Sequence, residues 1–402
     1  QVRVTKIVSR IPTPKKLFTK VVLHEDLITT VSTQKYRLGK IKEGCKKHKM
    51  LNFTKTPKLN NPYLFMFVDE KRKIVSCHVQ KAGSTLLNRI LAILIGDLPV
   101  TNPLNIPPYL AHNRNDLKSL NEYKPADAER ILKTYYKYLF VRDPLSRLIS
   151  FYEDKLYFPD NEFRSKFGRK MISVFRPNAS AKSLRCGHDV TFKELFNSAI
   201  NAGIFDSRPA FAHYGEQIHV CHPCQIEYDF IGKQETMISD IKELFRQINV
   251  SHLVNMTSTQ EQRNIDAIVF KLHPSKNEWN KLIQCESQRE LIHRIWEGFV
   301  HKGIIDPTIG ANITDNQILN TKEAILQFFI TVATKYKPTR EQKENHKAEL
   351  IKDLLKQITQ IEMDEYMKLY ETDFDIFGYD QNKWRNLYAK ALSPTIEHRA
   401  LY

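Results

Sequence analysis

The sequence lacks any long apolar run. Its most apolar stretch, residues 86–98, is interrupted by Asn88, Arg89 and Asp97, whereas a bilayer-spanning helix needs about 20 consecutive apolar residues. The chain opens with Gln1 and shows no apolar signal core. We therefore expect a trimmed or processed product, with any targeting segment outside this sequence.

Two familiar nucleotide-binding patterns are also missing. The sequence contains neither the Walker A pattern G-x-x-x-x-G-K-[ST] nor the dinucleotide pattern G-x-G-x-x-G. This absence, together with the lack of an evident carboxylate pair for Mg²⁺, disfavours a nucleotide kinase. Recognition-helix, RNA-binding and zinc-finger patterns are absent as well, so we expect no nucleic-acid partner.

Cysteine is scarce, with six residues in 402. An even number permits disulfides, but about fifteen full pairings are possible. Cys221 and Cys224 form one C-x-x-C pair, and no second pair completes a four-ligand zinc set. We therefore favour a structural turn, with disulfide bonding possible, over a zinc site that would also use His213, His219 and His222. Five N-glycosylation acceptor sequences favour the secretory pathway; they begin at Asn52, Asn178, Asn249, Asn255 and Asn312.

Basic residues, in contrast, are abundant. The chain has 61 Lys and Arg against 45 Asp and Glu, which gives a net charge of +16. This balance favours a polyanionic partner, such as a nucleotide, an acidic glycan or an anionic membrane surface. Residues 1–60 are predicted to be a basic arm or stem remnant before a single domain over residues 61–402. A second basic run, residues 164–185, either grips an acidic sugar chain or forms a solvated loop.

Strand-like and helix-like segments alternate between residues 63 and 156. This pattern predicts an α/β fold with a mainly parallel central sheet and helices on its faces. The second half is mainly helical, and one amphipathic helix is predicted to contain Ile351 and to end near Tyr370. The predicted strands are residues 63–68, 74–79 and 134–141, and the predicted helices among them are residues 85–95, 125–132 and 143–156.

The first candidate site is the turn that joins the strand at residues 74–79 to the following helix. Such a turn presents unpaired helix N–H groups to a ligand, and the helix dipole favours an anion there. Gly83 lets the backbone close around an oxyanion. Ser84 and Thr85 add hydroxyl donors, and Lys81 adds a positive charge. The turn is predicted to bind phosphate, although a capped helix with an incidental lysine would have the same sequence.

The second candidate site has the same architecture one strand further on. Arg142 follows the strand at residues 134–141, at the edge where open α/β sheets bind ligands. Arg147 and Ser150 are three residues apart and so share one face of the next helix. Because the guanidinium group is planar and bidentate, arginine binds phosphate well. A second phosphate site is the prediction, and a salt-bridged surface helix is the alternative.

These two sites and two later segments resemble the motifs of the Golgi carbohydrate sulfotransferases. Residues 77–85 (CHVQKAGST) resemble that family's loop for the 5′-phosphosulfate of 3′-phosphoadenosine 5′-phosphosulfate (PAPS). Residues 141–151 (VRDPLSRLISF) resemble its 3′-phosphate motif. Residues 221–236 (CHPCQIEYDFIGKQET) and 369–379 (LYETDFDIFGY) look like further blocks of the branch that sulfates chondroitin and dermatan. The resemblance is weakest over residues 256–350.

The resemblance implies a P-loop-like, three-layer sulfotransferase fold, PAPS as the donor, no metal, and an acidic glycan as the acceptor. It also implies the luminal part of a type II, membrane-anchored Golgi glycoprotein. Arg142 and Ser150 would bind the 3′-phosphate. Lys81 would bind the phosphosulfate and stabilise the leaving phosphate in catalysis, and the cofactor site would be completed by Ala82, Gly83, Ser84, Thr85 and Arg89.

Transfer to a hydroxyl group benefits from a proton acceptor, and histidine suits that role near neutral pH. His112 lies in the loop region between the two motifs and resembles a histidine that follows the first motif in related enzymes, so it is the predicted general base. His78 is the second choice, although burial in a strand favours a structural role. A carboxylate such as Asp116 or Glu122 comes next.

The sequence also departs from the family's usual loop. Gln80 stands where the family usually has proline, and Leu87 and Asn88 stand where an aromatic and a basic residue are common. A catalytically weak or inactive relative that binds PAPS and glycan therefore stays open as an alternative to the active enzyme.

Overall fold

The computed structural model describes residues 15–50, 63–96, 99–107, 110–111, 117–201, 212–272, 276–309 and 321–393. Within these residues, one four-stranded sheet is surrounded by helices. The strands are β1 (Met66–Asp69), β2 (Ile74–His78), β3 (Tyr136–Val141) and β4 (Phe230–Lys233).

Helices make up most of the remaining chain. Those before β4 are α1 (Lys15–Lys47), α2 (Ser84–Ile95), α3 (Pro125–Thr134), α4 (Pro144–Phe151), α5 (Arg169–Phe175), α6 (Ala181–Cys186), α7 (Phe192–Ile200) and α8 (Ile218–Cys221). Those after β4 are α9 (Met237–Gln247), α10 (Gln260–Lys271), α11 (Lys276–Ile283), α12 (Gln288–His301), α13 (Lys322–Lys335), α14 (Arg340–Leu355), α15 (Gln360–Leu369), α16 (Glu371–Ile376) and α17 (Gln381–Leu392). In the described part of the chain, no helix is both long enough and apolar enough to cross a membrane.

The sheet is mixed, in the order β1-β2-β3-β4. The pairs β2–β3 and β3–β4 are parallel, as expected of a mainly parallel sheet, whereas β1 and β2 are antiparallel. Only residues 70–73 separate β1 from β2, and a parallel connection needs a crossover of about a dozen residues or more. The short turn therefore dictates the antiparallel pair.

Alternate strand side chains face opposite sides of the sheet, because the side-chain period of a strand is two. Val75 and Cys77 of β2 and Leu139 of β3 pack with Ile41 of α1 and Ile131 of α3. Helices cover the opposite face as well, where α2 and α9 pack on the strands. That face buries Ile74, Tyr138, Phe140 and Phe230 of the sheet with Leu87, Ile90, Ile241 and Leu244 of the helices.

The end of α1 belongs to the core, although its basic sequence was predicted to form a separate arm. Arg37 is buried, and its Nη1 donates to Oδ2 of Asp240 and to the backbone oxygen of Ile231, both at 2.8 Å. Cys45 is disulfide-bonded to Cys224. The buried face of α1 is narrow and is bordered by lysines, which makes it difficult to recognise in the sequence. Long basic side chains can border apolar surface in this way while their charges stay in water. The domain boundary at residue 60 stays a prediction.

All six cysteines form disulfides, so the two members of the C-x-x-C pair bond to different elements. The bonds are Cys45–Cys224, Cys77–Cys221 and Cys186–Cys285, with Cα separations of 5.5, 5.9 and 5.7 Å. The zinc alternative is therefore wrong, because neither cysteine offers a thiolate. Among the described residues, no group of three or more His, Cys, Asp or Glu side chains is arranged to hold a metal ion.

The helical second half differs from the prediction at one point. A single amphipathic helix running through Ile351 to Tyr370 is wrong, because four residues separate α14 from α15. Thr359 caps α15, and Glu362 accepts a hydrogen bond from the backbone N–H of Thr359 at 2.6 Å, which completes a capping box. The apolar period continues across the break, so periodicity alone did not locate it.

Candidate active site

The turn after β2 carries the first predicted site. Its backbone is left-handed at Lys81, with φ of 66°, and at Gly83, with φ of 90°. The positive φ at Gly83 favours glycine, and a Cβ atom there would also lie 2.4 Å from Cε of Met237, whose flexible end would have to move. Gly83 precedes α2, whose first N–H groups have no partner within the helix. The turn therefore directs backbone donors toward the space above it.

The side chain of Lys81 is 14% exposed and paired with a carboxylate. Its Nζ lies 2.6 Å from Oδ2 of Asp154. Burial lowers the pKa of Lys81 to about 8, even though Asp154 opposes this change. Burial alone would raise the pKa of Asp154, but the surrounding lysines hold it well below its usual range. Asp154 is therefore an anion that the free protein keeps beside its candidate catalytic lysine.

Arg142 lies directly after β3 and reaches across to the first site. Its Nη1 donates to the backbone oxygen of Lys81 at 3.1 Å, whereas its buried Nε has no partner among the described residues. Gln217 fixes the backbone of Arg142 by accepting from its N–H at 2.9 Å and donating to its oxygen at 2.7 Å. The residue is thus held in place, and its Nε donor is not used by any described residue.

One cavity of about 630 Å³ connects the two predicted sites. The first site contributes the turn and the start of α2, and the second contributes Arg142 and Ser150 of α4. The two predicted anion-binding elements therefore face one space, at the carboxyl edge of the parallel strands. The lining includes Gln80, Lys81, Gly83, Ser84, Thr85, Arg142, Ser150, Asp154, Lys155 and His213.

Three residues predicted at the two sites from the sequence, Ala82, Arg89 and Arg147, are not part of this lining. Ala82 is fully buried, and its N–H bonds the oxygen of Val79 at 3.2 Å. Arg89 is buried and forms two hydrogen bonds with Asp266 of α10, at 2.6 and 2.9 Å. Arg147 is fully buried, so its guanidinium group is used inside the protein and not at the cavity. It donates to the backbone oxygens of Gln80, Ala212 and Gly215.

The candidates for the general base have different outcomes. His112 and Asp116 lie outside the described residues. His78 is buried, and both of its ring nitrogens are hydrogen-bonded to neighbouring side chains, which agrees with a structural role. Glu122 accepts from a backbone N–H at 2.7 Å as part of a turn cap, and it does not line the cavity.

His213 lines the cavity, although the sequence pattern indicated only that it lies near the C-x-x-C pair. Its ring packs against Phe151 and Phe163, with centroid distances of 5.4 and 5.0 Å. Its Nδ1 is buried and has no partner among the described residues. Burial, reinforced by the charges of Lys81 and Lys155, holds the pKa of His213 well below its usual range. The imidazole is therefore neutral near pH 7.

The basic run at residues 164–185 uses part of its charge internally. Arg164 is buried and paired with Glu286. Arg176 is paired with Glu194 at 2.7 Å and with Asp189 at 2.6 Å. The prediction that this run grips a glycan can therefore apply only to its exposed members, which include Lys166, Arg169, Lys170, Lys182 and Arg185.

Comparison with known proteins agrees with this site. Residues 65–298, more than half of the chain, match the profile of the sulfotransferase family. Carbohydrate sulfotransferase 11 from Rattus norvegicus is 30% identical over 268 residues, which cover 66% of this chain and 74% of the relative. Carbohydrate sulfotransferase 9 from Homo sapiens is 31% identical over 239 residues, covering 59% of this chain and 52% of that relative. No solved structure matches the chain.

The family match includes both motifs that meet at the cavity. It begins at β1 and extends through β4 to α12. The turn at residues 80–85, which we call the cradle, lies inside it, as do Arg142 and the sheet edge that presents them. The chain therefore belongs to the sulfotransferase family, as an enzyme of its carbohydrate sulfotransferase group.

Proposed function

We propose that this enzyme transfers the sulfuryl group of PAPS to a hydroxyl group of a chondroitin- or dermatan-type glycosaminoglycan. The observation that carries the proposal is the single cavity bounded by two anion-binding elements. A donor with a 5′-phosphosulfate and a 3′-phosphate needs two such elements at once. The Nε of Arg142, which has no partner within the described part of the chain, and the left-handed turn at Gly83 both suit such a ligand.

Residues of the two motifs would divide the donor between them. Lys81, Ser84 and Thr85 would bind the 5′-phosphosulfate together with the backbone around Ala82 and Gly83. The 3′-phosphate would bind to Arg142 and Ser150. Arg89 would contribute indirectly, because its pairing with Asp266 fixes α2 against α10. These roles follow the family resemblance and the lining of the cavity.

The proposed reaction breaks one S–O bond and forms another. The bond from sulfur to the bridging oxygen of the donor breaks, and the hydroxyl oxygen of the acceptor bonds to sulfur. His112 would accept the hydroxyl proton, and the ammonium group of Lys81 would stabilise the charge that develops on the leaving phosphate. The scheme includes no metal, since a sulfuryl group carries less charge than a phosphoryl group. The products are a sulfate ester and 3′-phosphoadenosine 5′-phosphate.

The setting proposed for this reaction is the Golgi lumen, with the chain as the luminal part of a type II membrane protein. Three disulfides support an oxidising compartment. The net charge of +16 favours an acidic glycan over a neutral one. The relatives are carbohydrate sulfotransferases by name, which supports a sugar acceptor.

One observation favours the alternative of a weak or inactive relative. Oγ of Ser84 donates to Oε1 of Gln80 at 3.0 Å. Gln80, which stands where the family usually has proline, therefore occupies a hydroxyl group that is predicted to bind PAPS. A ligand would have to displace this contact to use the Ser84 hydroxyl. Binding without efficient transfer would be the result if the contact persisted.

A transfer assay tests the proposal. The enzyme is incubated with PAPS carrying labelled sulfate and with a panel of desulfated glycosaminoglycans, and the labelled disaccharides are then identified. We expect label on chondroitin- or dermatan-type disaccharides. Calorimetric binding of 3′-phosphoadenosine 5′-phosphate without transfer to any acceptor would favour the inactive relative. Absence of both binding and transfer would contradict the proposal.

A further inference from the structure

Asp154 is buried and lies at the centre of a cluster of three lysines from different parts of the chain, of which Lys81 and Lys271 are largely buried and Lys302 is exposed. Lys81 comes from the cradle, Lys271 from the end of α10, and Lys302 from the residue after α12. Their Nζ atoms lie 2.6, 2.6 and 3.1 Å from the carboxylate oxygens of Asp154. Lys271 also donates to the backbone oxygen of Asp154 at 2.6 Å. The side chains of Asp154 and Lys271 are only 11% and 8% exposed.

This cluster has too little negative charge. One carboxylate faces three ammonium groups, and the nearby Lys155 is already paired with Asp160. Burial lowers the pKa of Lys271 to about 7, and repulsion from the other lysines contributes. Burial likewise lowers the pKa of Lys81 to about 8. Buried cations are tolerated when paired, so an anionic ligand would stabilise all of them.

The cluster lies at the wall of the proposed donor site. Lys81 and Asp154 line the cavity of about 630 Å³, as does Phe270, the residue before Lys271. Lys271 itself lines a neighbouring cavity of about 580 Å³, which shares Lys155, Phe270 and Glu162 with the first. Glu162 is paired with Lys166 at 2.8 Å. An anion bound at the cradle would therefore lie close to the lysines around Asp154, which outnumber the carboxylates that pair with them.

We propose that Asp154 is a built-in counter-ion that holds Lys81 and Lys271 in the free enzyme, and that the donor's phosphosulfate takes over both lysines when it binds. Lys271 thereby becomes a residue that binds PAPS, and it comes from residues 256–350, where the family resemblance is weakest. Asp154 is a positioning residue, and Lys302 stays paired with it. The identity of the anion rests on the proposed function.

The exchange has a consequence for protons that can be measured. In the free enzyme at pH 8, Lys271 is mostly neutral and Lys81 is about half protonated, given pKa values of about 7 and about 8. A bound anion raises both pKa values toward the ordinary lysine range. Binding should therefore take up roughly one to one and a half protons at pH 8, mostly at Lys271, and affinity should fall as the pH rises above 7.

Calorimetry tests this with 3′-phosphoadenosine 5′-phosphate and with PAPS, at pH 8 in two buffers of different ionisation enthalpy. We expect proton uptake by the wild type. Lys271→Met should lose most of that uptake and bind at least one of the two nucleotides about 10- to 100-fold more weakly, as expected for loss of a charge-assisted contact. Lys133→Met, on the exposed face of α3, is the matched control and should behave as wild type.

Each outcome bears on a different proposal. Wild-type binding without proton uptake overturns the exchange, and this measurement needs no variant. A folded Lys271→Met protein that binds both nucleotides within about threefold of wild type also overturns it, because loss of a charged ligand costs more than that. If the wild type binds neither nucleotide, the proposed function fails instead.

Asp154→Asn gives an independent test of the counter-ion. Removing a buried charge from a paired cluster destabilises the free protein, so its unfolding temperature should fall. The bisphosphate then supplies the missing charge, and it should raise the unfolding temperature of the variant by more than it raises that of the wild type at the same saturation. A smaller rise in the variant would mean that Asp154 helps to bind the nucleotide rather than competing for the lysines, which would overturn the exchange.

Discussion

At the scale of single residues, the two motifs hold each other in place. Nη1 of Arg142 donates to the backbone oxygen of Lys81, and Nε of Arg147 donates to that of Gln80 at 3.0 Å. A left-handed backbone costs a non-glycine residue about 1–2 kcal/mol, and Lys81 adopts it with φ of 66°. The arginines of the second motif therefore stabilise a strained loop of the first.

Arg142→Ala should weaken nucleotide binding by about 1.5–3 kcal/mol, the range for a hydrogen bond to a charged group. The variant loses both the proposed 3′-phosphate contact and the support of the Lys81 carbonyl. Isothermal calorimetry with 3′-phosphoadenosine 5′-phosphate measures the effect. Arg130→Ala, on the exposed surface of α3, is the control. Unchanged affinity in a folded Arg142→Ala protein would exclude Arg142 as a phosphate ligand.

His112→Ala and His112→Asn should lower kcat by roughly 10²- to 10⁴-fold, the usual effect of losing a general base. Nucleotide affinity should stay nearly unchanged, since the proposed role is toward the acceptor. The measurements are the transfer rate and the binding of the product nucleotide, with His252→Ala, at an exposed position, as the control. Transfer within about threefold of wild type would rule out His112, because base loss has a larger effect.

Several site residues were predictable because their signals are local. The cradle glycine, the cradle lysine and the arginine after β3 follow from the strand-to-helix turns that contain them. Asp154 also lies one turn beyond Ser150, but its lysine partners are 73, 117 and 148 residues away. No local pattern encodes such separations. The inward turn of Arg147 was missed for the same reason, since the carbonyls that it binds come from other segments.

At the scale of elements, strands and helices near the sheet follow their sequence signals closely. Runs rich in apolar and aromatic residues predicted β2 and β3. Asp143 before Pro144 predicted the start of α4, where Asp143 accepts from the N–H of Ser146 at 2.8 Å. The end of α1 was missed because its core contacts involve a buried arginine and a disulfide. Both depend on tertiary partners rather than on apolar periodicity.

The disulfide between β2 and α8 should matter for the site as well as for stability. Gln217, which fixes the backbone of Arg142, directly precedes α8. Replacing Cys77 and Cys221 together by serine should destabilise the protein by about 2–4 kcal/mol. It should also weaken nucleotide binding severalfold, because Gln217 is less firmly held. Thermal unfolding and calorimetry measure the two effects.

The matched control is the joint replacement of Cys186 and Cys285 by serine. That disulfide does not line the donor cavity, so its loss should destabilise the fold and leave nucleotide affinity nearly unchanged. Equal losses of affinity in the two double variants would show that the bond at β2 has no special role at the site.

At the scale of the whole molecule, the excess positive charge predicts salt-sensitive turnover. Attraction between an acidic glycan and a protein of charge +16 is screened within about 10 Å at 0.1 M salt. Turnover on chondroitin should therefore fall between about 50 and 300 mM salt, mainly through a higher KM. Turnover on a neutral oligosaccharide is the control. Equal rates on both acceptors, unaffected by salt, would contradict attraction by charge.

The disulfide pattern also sets an order of events during synthesis. Cys45 and Cys77 emerge first, but their partners follow 179 and 144 residues later. At translation rates of about 5–20 residues per second, both thiols wait on the order of 10 seconds for their partners. During that interval the two early cysteines are available to each other. Native pairing then depends on thiol–disulfide exchange that reopens any early bond between them, so this chain should fold as a client of the compartment's disulfide isomerases.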